Sequence, residues 1–340
     1  MLLAMTVPHI TEWLRMMNYP SYIQLYPTLR CNQSCGFCFN QGILSSFLNK
    51  DMNLKDAYLL SNVLVKVGIS EIDILGGEPM LVPWMKDFVV YATERGISLN
   101  ISTNGSLPEV VTQFTEVRTN SMNFGFSFEG FSETHNALTK SKNFSKAVTG
   151  LKMMIAAAKN PIVKSTLMKE NVDEIHDLIS YFAGLGVKRY YLLHEDIIGR
   201  QKNSIGFSFP EFRDFYSNIK KDMEGLLNIG FVAASGFYSS GLKFQGRCDA
   251  GIKKIAVFPD GSAFPCNLFA GFEEFRLGNI LEDGIEKIWR SPVIETLRKY
   301  DGNNRCKRDN CNHYLTCRGG CPAHSYYFYG TFDMADPRCD

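Results

Sequence analysis

The sequence predicts an α/β protein built on a parallel sheet that curves into an open six-unit barrel and continues into a cysteine-rich extension. Six apolar, strand-like runs alternate with segments that carry apolar residues at helical spacing, as expected for parallel strands joined by crossover helices. Glycine-containing polar turns follow successive strands, and the 10 cysteines fall into two separate groups. We therefore expect a ligand site at the carboxyl ends of the strands.

Composition describes a globular chain of 340 residues, long enough for one large domain and a smaller one. Its 36 basic and 35 acidic residues leave a formal charge of +1, which gives no indication of binding to nucleic acid or an anionic membrane. The apolar start Met1–Met5 is too brief for a signal peptide, and no apolar run reaches the length of a membrane span. We expect a cytoplasmic protein whose thiols are metal ligands.

The predicted elements follow one another along four segments of the chain. A helical lead-in covers residues 1–19, the barrel 20–200, a connector 201–247 and the extension 248–340. The strands of the barrel are predicted at Tyr22–Leu29, Glu71–Leu75, Ser98–Ser102, Met122–Phe128, Ile162–Leu167 and Lys188–Leu193. Its helices are predicted around Leu54–Leu64, Trp84–Glu94, Ser145–Ala157 and Val172–Ala183.

Four further local patterns concern a helix start, the connector and the extension. Asn171, with Glu174 three residues on, predicts a capping-box-like helix start. Phe209 begins an amphipathic helix in the connector. The extension is predicted to hold a strand at Ile255–Phe258 and one helix over Ile285–Tyr300.

The first cysteine group follows the first strand and consists of Cys31, Cys35 and Cys38. Three thiols within eight residues allow one loop to surround a single iron–sulfur cluster, for which cysteine thiolates are the usual ligands. Three ligands on a four-iron cube leave one iron open to a substrate or cofactor. A zinc site would show four ligands in paired sets, and a secreted disulfide scaffold does not suit a chain of this size.

The next three strands end in turns that suit a ligand. Gly76-Gly77-Glu78-Pro79 follows the second strand, and its glycines allow close backbone approach while a carboxylate can hold an ammonium group. After the third strand come Ser102 and Asn104, whose hydroxyl and amide suit ribose hydroxyls. Ser127-Phe128-Glu129-Gly130 follows the fourth. Each turn alone is an ordinary loop, but turns in register behind successive strands indicate one site.

These motifs together resemble the radical S-adenosylmethionine (radical SAM) enzymes, which share a partial (β/α)6 TIM-like barrel. Their signature is the CxxxCxxC loop with an aromatic residue, here Phe37, before the last cysteine. The resemblance implies that Gly76, Gly77 and Glu78 bind the methionine amino group, and that Ser102, Asn104 and Ser127 belong to the SAM site. Glu129 stands where the family often has Asp. Leu192 and Leu193 are candidates to cover the adenine or are plain core.

The seven remaining cysteines resemble the SPASM extension of these enzymes, with one gap longer than usual between Cys306 and Cys311. Family topology assigns one auxiliary four-iron cluster to Cys306, Cys311, Cys317 and Cys339. It assigns the other to Cys248, Cys266 and Cys321, which leaves an open iron or a non-cysteine ligand such as His313, His324 or Asp340. Two alternatives stay open, in which the clusters only staple a loop-rich extension or the extension binds zinc.

The resemblance implies a radical SAM oxidoreductase with three [4Fe–4S] clusters and a flavodoxin- or ferredoxin-type electron donor. Reductive cleavage of SAM gives a 5′-deoxyadenosyl radical that abstracts hydrogen from the substrate, and the auxiliary clusters transfer electrons. A peptide or protein side chain is the expected substrate. The alternatives are a small molecule, such as a sugar alcohol or tetrapyrrole side chain, and a non-enzymatic iron–sulfur protein. Asn267 replaces the Asp base of sulfatase-maturing relatives, so we expect no sulfatase maturation. No catalytic side chain is assigned.

Overall fold

A computed structural model describes residues 19–40, 51–199, 206–233 and 248–339, except 301, 303 and 313. Almost all of the predicted lead-in, parts of the connector, His313 and Asp340 lie outside these residues. Within the described chain, no helix is both long and apolar enough to cross a membrane.

One ten-stranded sheet organises the described chain, in the order β10-β9-β8-β1-β2-β3-β4-β5-β6-β7. Strands β1 to β7 run parallel to one another, β8 is parallel to β1, and β9 and β10 are antiparallel additions. The strands are β1 Tyr22–Leu25, β2 Glu71–Ile74, β3 Ser98–Thr103, β4 Met122–Ser127, β5 Ile162–Leu167, β6 Arg189–His194, β7 Asn228–Val232, β8 Lys254–Val257, β9 Ser262–Phe264 and β10 Gly278–Asn279. The predicted α/β fold with a parallel, TIM-like partial barrel is confirmed.

Helices connect the parallel strands and continue into the extension. Those of the barrel are α1 Leu54–Lys66, α2 Met85–Thr93, α3 Pro108–Val111, α4 Ser132–Thr139, α5 Phe144–Ala156 and α6 Ile175–Gly184. The later ones are α7 Phe209–Asp222, α8 Ile280–Trp289, α9 Pro292–Lys299, α10 Asn304–Arg308, α11 Tyr314–Cys317 and α12 Pro322–Tyr329.

The two faces of the parallel sheet differ in polarity. Successive side chains of a strand point to opposite faces, and one set packs under the helices in a continuous buried core that includes Ile72, Leu99 and Phe124. The other set is polar and half-buried, as Asp73 and Asn100 show. The amide of Asn100 donates to the Asp73 carboxylate at 2.9 Å, so neighbouring strands are bonded across this inner face.

The extension has a second buried cluster that it shares with the barrel. The Tyr26 ring of the barrel stacks on Phe258 with centroids 4.8 Å apart, and Phe264 and Phe269 belong to the same cluster. The extension therefore packs on the barrel through apolar aromatic side chains and does not depend on its cysteines alone.

Three sequence predictions about elements need correction. The connector contributes β7, which pairs with β6 and adds a strand to the six predicted. The helix predicted over residues 285–300 is two helices, because Ser291 caps the N-terminus of α9 and Pro292 cannot donate a backbone hydrogen bond to α8. Asn171 makes no capping hydrogen bond, because its side chain accepts from Met168 N at 2.9 Å and donates to Thr166 O at 2.8 Å.

Candidate functional site

The cysteine loop after β1 is held by the end of helix α4. Backbone N–H groups of Ser34 and Gly36 donate to the carbonyls of Thr139 and Leu138 at 3.2 and 3.1 Å. These bonds fix the loop between its first and last cysteine. Phe37 is half-buried within it.

The three thiols of this loop are close enough to influence one another electrostatically. The pKa of Cys31 is raised to about 11, mainly by desolvation and also by Glu78 and the Cys38 thiolate. Desolvation also raises the pKa of Cys35, with Cys38, Glu129 and Cys31 adding to the shift. A ligand that binds thiolates must therefore displace protons here. The donor set of three neighbouring sulfurs fits a four-iron cluster with one iron left without a protein ligand.

Positions 76 and 77 have room only for glycine, because the backbone of the residues just before Cys31 lies against them. Gly77 N donates to Thr28 O at 3.0 Å and Glu78 N to Arg30 O at 2.8 Å. A Cβ atom on Gly77 would lie 2.1 Å from the Arg30 carbonyl oxygen, and one on Gly76 would lie 2.5 Å from that of Thr28. The close approach predicted for these glycines is thus an approach to the protein's own backbone, and it sets the position of the cysteine loop.

The Glu78 carboxylate connects the loops after β2 and β3. It is 1% exposed and accepts hydrogen bonds from Thr103 Oγ1 and Asn104 N, both at 2.7 Å, and from Met80 N at 3.0 Å. Burial raises its pKa to about 7, against the effect of these donors. A carboxylate has about four acceptor positions, so one remains for an ammonium group.

Asn104 joins the loop after β3 to the cysteine loop. Its Nδ2 donates to Asn32 Oδ1 at 2.9 Å and lies 4.0 Å from Cys31 Sγ. The Asn32 amide in turn donates to Ser106 Oγ at 2.7 Å. The predicted residue Asn104 therefore lies beside the thiols.

Ser102 and Ser127 lie half-buried on the inner face of the sheet. Ser102 Oγ accepts a hydrogen bond from Lys164 Nζ at 2.8 Å. Lys164 crosses Gly125 of β4, where an added Cβ would lie 2.4 Å from Lys164 Cε. Sequence reasoning missed Lys164, although a glycine inside a strand can indicate the close approach of another group. Of the two leucines proposed near adenine, Leu192 belongs to the helix-side core, whereas Leu193 is on the inner face.

Glu129 is a second buried carboxyl group near the thiols. One of its oxygens accepts from Thr166 N at 2.7 Å, and its carbonyl accepts from Asn171 Nδ2 at 3.1 Å. Burial raises its pKa to about 8, and the nearby Glu195 adds to the shift. Glu195, which was not singled out from the sequence, has its own pKa raised to about 7 by burial and by Glu170 and Asp196.

The seven cysteines of the extension separate into two groups. Burial raises the pKa of Cys321, and Cys248 and Cys266 are among the thiolates that raise it further. Burial likewise raises the pKa of Cys306, with Cys339 and Cys311 adding to the shift, while a hydrogen bond with Cys339 lowers that of Cys317. For Cys266, Cys306, Cys317 and Cys321, the thiols that influence the pKa belong to the set that the resemblance assigns to the same cluster.

A buried ionic network lies between the cysteines of the extension and the end of β6. Arg338 is 1% exposed and donates to Asp336 through Nε at 3.0 Å and Nη2 at 2.8 Å, and to Glu195 O at 2.8 Å. Ligand atoms of Cys321, His324 and Asp336 lie within 4.8 Å of one another. His324 already contacts Arg338 through Nδ1 at 3.3 Å and Ile197 N through Nε2 at 3.2 Å. Of the three candidate non-cysteine ligands, His313, His324 and Asp340, only His324 lies among the described residues.

Comparison with known proteins matches two family profiles to the chain. The Radical SAM superfamily matches residues 25–182, and SPASM, an iron–sulfur cluster-binding domain, matches residues 248–318. The mycofactocin maturase MftC of Mycobacterium ulcerans is 26% identical over 327 residues, which cover 92% of this chain and 85% of that protein. The subtilosin biosynthesis protein AlbA of Bacillus subtilis is 24% identical over 86% of this chain and 65% of its own length.

Among solved structures, SuiB of Streptococcus suis bound to S-adenosylmethionine has the same fold. Its TM-score is 0.79 at 19% identity, and the match covers 98% of this chain and 80% of that one. At this identity the likeness concerns the fold, and it includes both the partial barrel and the extension.

Proposed function

We propose that this chain, which belongs to the radical SAM superfamily and carries a SPASM domain, modifies a side chain of a peptide by radical chemistry. The chain is an enzyme that binds SAM and iron–sulfur clusters. The observation that carries the proposal is the grouping of Cys31, Cys35 and Cys38, which interact electrostatically, with Cys31 beside Asn104 and Glu78 within electrostatic reach of Cys31. When bound, the reduced cluster supplies an electron to the sulfonium of SAM, giving methionine and a 5′-deoxyadenosyl radical.

The residues of the chain have separate tasks in this proposal. Cys31, Cys35 and Cys38 hold the cluster, with Phe37 between the last two. Glu78, with one acceptor position left, and the Gly76-Gly77 backbone orient the methionine amino group. Asn104, Ser102 and Ser127 contribute to the nucleoside site. The half-buried polar inner face beyond them, which includes Asp73 and Lys164, receives the substrate.

The two cysteine groups of the extension hold two auxiliary clusters, which makes three in all. Cys248, Cys266 and Cys321 hold one, and Cys306, Cys311, Cys317 and Cys339 hold the other. Their proposed task is to take up the electron released when the substrate radical is oxidised. A flavodoxin or ferredoxin supplies the electron for SAM cleavage.

The peptide as substrate is supported by the nature of the relatives, which are named as maturases and a bacteriocin biosynthesis protein. The test is anaerobic incubation of the reconstituted enzyme with SAM, dithionite and a short peptide encoded beside its gene. We expect 5′-deoxyadenosine and a mass change confined to one residue of the peptide. Deoxyadenosine with no altered peptide, together with conversion of a sugar alcohol or tetrapyrrole, would assign a small-molecule substrate. No deoxyadenosine under any condition would identify a non-enzymatic iron–sulfur protein.

Sulfatase maturation is not part of the proposal, because Asn267 follows Cys266. Formylglycine in a sulfatase co-expressed with this enzyme would contradict that exclusion.

A further inference from the structure

Lys254, the first residue of β8, lies beside two cysteines of the extension. It pairs with Tyr22 of β1 in the parallel register. On its other side, β8 and β9 pair as Ala256 with Phe264 and Val257 with Ala263. Beyond β9 the chain stays close to Lys254, because Gly251 N donates both to Lys254 O at 3.0 Å and to Pro265 O at 3.3 Å. Cys266 directly follows Pro265 and is thereby brought near Lys254.

The second cysteine reaches Lys254 through a tight turn. Lys254 N donates to Asp249 O at 3.2 Å, and Gly251 N donates to Lys254 O at 3.0 Å. This turn folds the chain that starts at Cys248 back onto Lys254, and Ala250 N donates to Cys248 Sγ at 3.5 Å. Cys248 and Cys266 therefore approach the same lysine from two directions.

Burial lowers the pKa of Lys254, but its interactions with Tyr22, with Cys266 and Cys248, and with Asp249 raise that pKa by more. Burial raises the pKa of Cys266 to about 11, and Lys254 is the strongest influence that opposes this shift. Across the described residues, no carboxylate forms an ion pair with the Lys254 ammonium group within 4.0 Å. Asp249 pairs instead with the adjacent, exposed Lys253 at 3.3 Å. Lys254 is half-buried, and an ammonium group partly withdrawn from water is stabilised by nearby negative charge, to which the thiolates of a bound cluster would add.

We infer that Lys254 is a fixed positive charge beside the cluster held by Cys248, Cys266 and Cys321, on the side of Cys248 and Cys266, and that it raises the reduction potential of that cluster. This inference rests on the proposed auxiliary cluster. Reduction adds negative charge to an iron–sulfur cluster, and a nearby cation stabilises the reduced form more than the oxidised form. Lys254 is a positioning residue in this sense: it makes the cluster a better acceptor for the electron released during substrate oxidation.

The test is a redox titration of the reconstituted full-length enzyme, followed by electron paramagnetic resonance. Lys254→Met removes the charge with little change in length, and Lys253→Met is the matched control on the adjacent residue. We expect Lys254→Met to change the ratio of reduced to oxidised cluster at least tenfold at a given potential, about 59 mV toward negative values for one electron. The other clusters and the Lys253→Met enzyme should keep the wild-type potentials.

Unchanged potentials in Lys254→Met at full iron content would overturn the inference. If Lys254→Met loses one cluster, the charge-conserving variant Lys254→Arg distinguishes the two explanations. Recovery of both the iron content and the potential in Lys254→Arg would support a role for the positive charge. Loss of iron in Lys254→Arg as well would assign Lys254 a purely structural role and overturn the inference. A wild-type enzyme that itself lacks this cluster would instead overturn the proposed auxiliary site. The two failures are therefore distinguishable.

Discussion

The carboxylate of Glu78, after β2, accepts a 2.7 Å hydrogen bond from the backbone N–H of Asn104, after β3. Asn104 in turn lies 4.0 Å from the sulfur of Cys31, after β1. Three successive strand ends are thus joined through one buried acidic residue.

Replacing Glu78 by Gln should weaken this junction. All its neighbours are donors, so the new NH2 group would face a donor and leave one buried partner unsatisfied, at a cost of about 1–3 kcal/mol. We expect a lower free energy of unfolding and weaker SAM binding, measured by denaturant titration and calorimetry. The control is Glu71→Gln, at the exposed start of β2, the strand that precedes Glu78. Wild-type stability and affinity in Glu78→Gln would contradict this role.

Gly77→Ala should displace the cysteine loop. The added Cβ would lie 2.1 Å from Arg30 O, a distance that backbone atoms cannot accommodate without moving. We expect loss of the first cluster, seen as about four fewer iron atoms per chain. Gly36→Ala is the matched control, since no atom lies within 4 Å of its added Cβ. Equal iron content in both variants would refute the argument.

Removal of single cysteines should distinguish the three proposed clusters. The wild-type enzyme should contain about twelve iron atoms. Cys35→Ala should lower the count by about four and abolish 5′-deoxyadenosine formation. Cys339→Ala should lower the count similarly but retain uncoupled SAM cleavage, because its thiol belongs to a different group. A wild-type count near four would remove the auxiliary clusters from the proposal.

The stability of the protein should fall in acid because His135 is buried in its neutral form. Burial lowers its pKa to about 4, against an ordinary value of 6.5. Between these values the unfolded chain binds more protons, so stability decreases as pH falls below 6.5, by about 2 kcal/mol at pH 5 for this group. In His135→Gln this part of the pH dependence should disappear, measured as urea midpoints at pH 7.5 and 5.

The exposed His176 provides the control for that experiment. His176→Gln should keep the wild-type pH dependence. An unaltered acid response in His135→Gln would show that other groups determine it.

Arg338→Met should destabilise the contact between the extension and β6. It would leave the fully buried Asp336 carboxylate without its cation, and breaking a buried pair in this way costs about 3–5 kcal/mol. Thermal unfolding should show the loss. The double variant Arg338→Met with Asp336→Asn should recover part of it, and no recovery would indicate that the ion pair is not the cause.

Local sequence patterns predicted the elements whose determinants are local. The strand Ile162–Leu167 was predicted with its observed bounds, and α2 within one residue at each end, because apolar spacing and flanking turns define them. The Asn171 capping prediction was wrong because its Oδ1, the atom that would cap the helix, accepts instead from Met168 N in the turn before it. Its amide bonds Glu129 O, which is distant in sequence.

The sequence by itself determined the family, the fold class and the two cysteine groups, because these depend on residue types at fixed spacing along the chain. Only the tertiary structure decided what surrounds them: that Gly77 accommodates the backbone before Cys31, that Lys164 reaches Ser102, and that Lys254 lies near Cys266. The physical reason is that hydrogen bonds and charge interactions act over a few ångströms in space, whatever the separation in sequence.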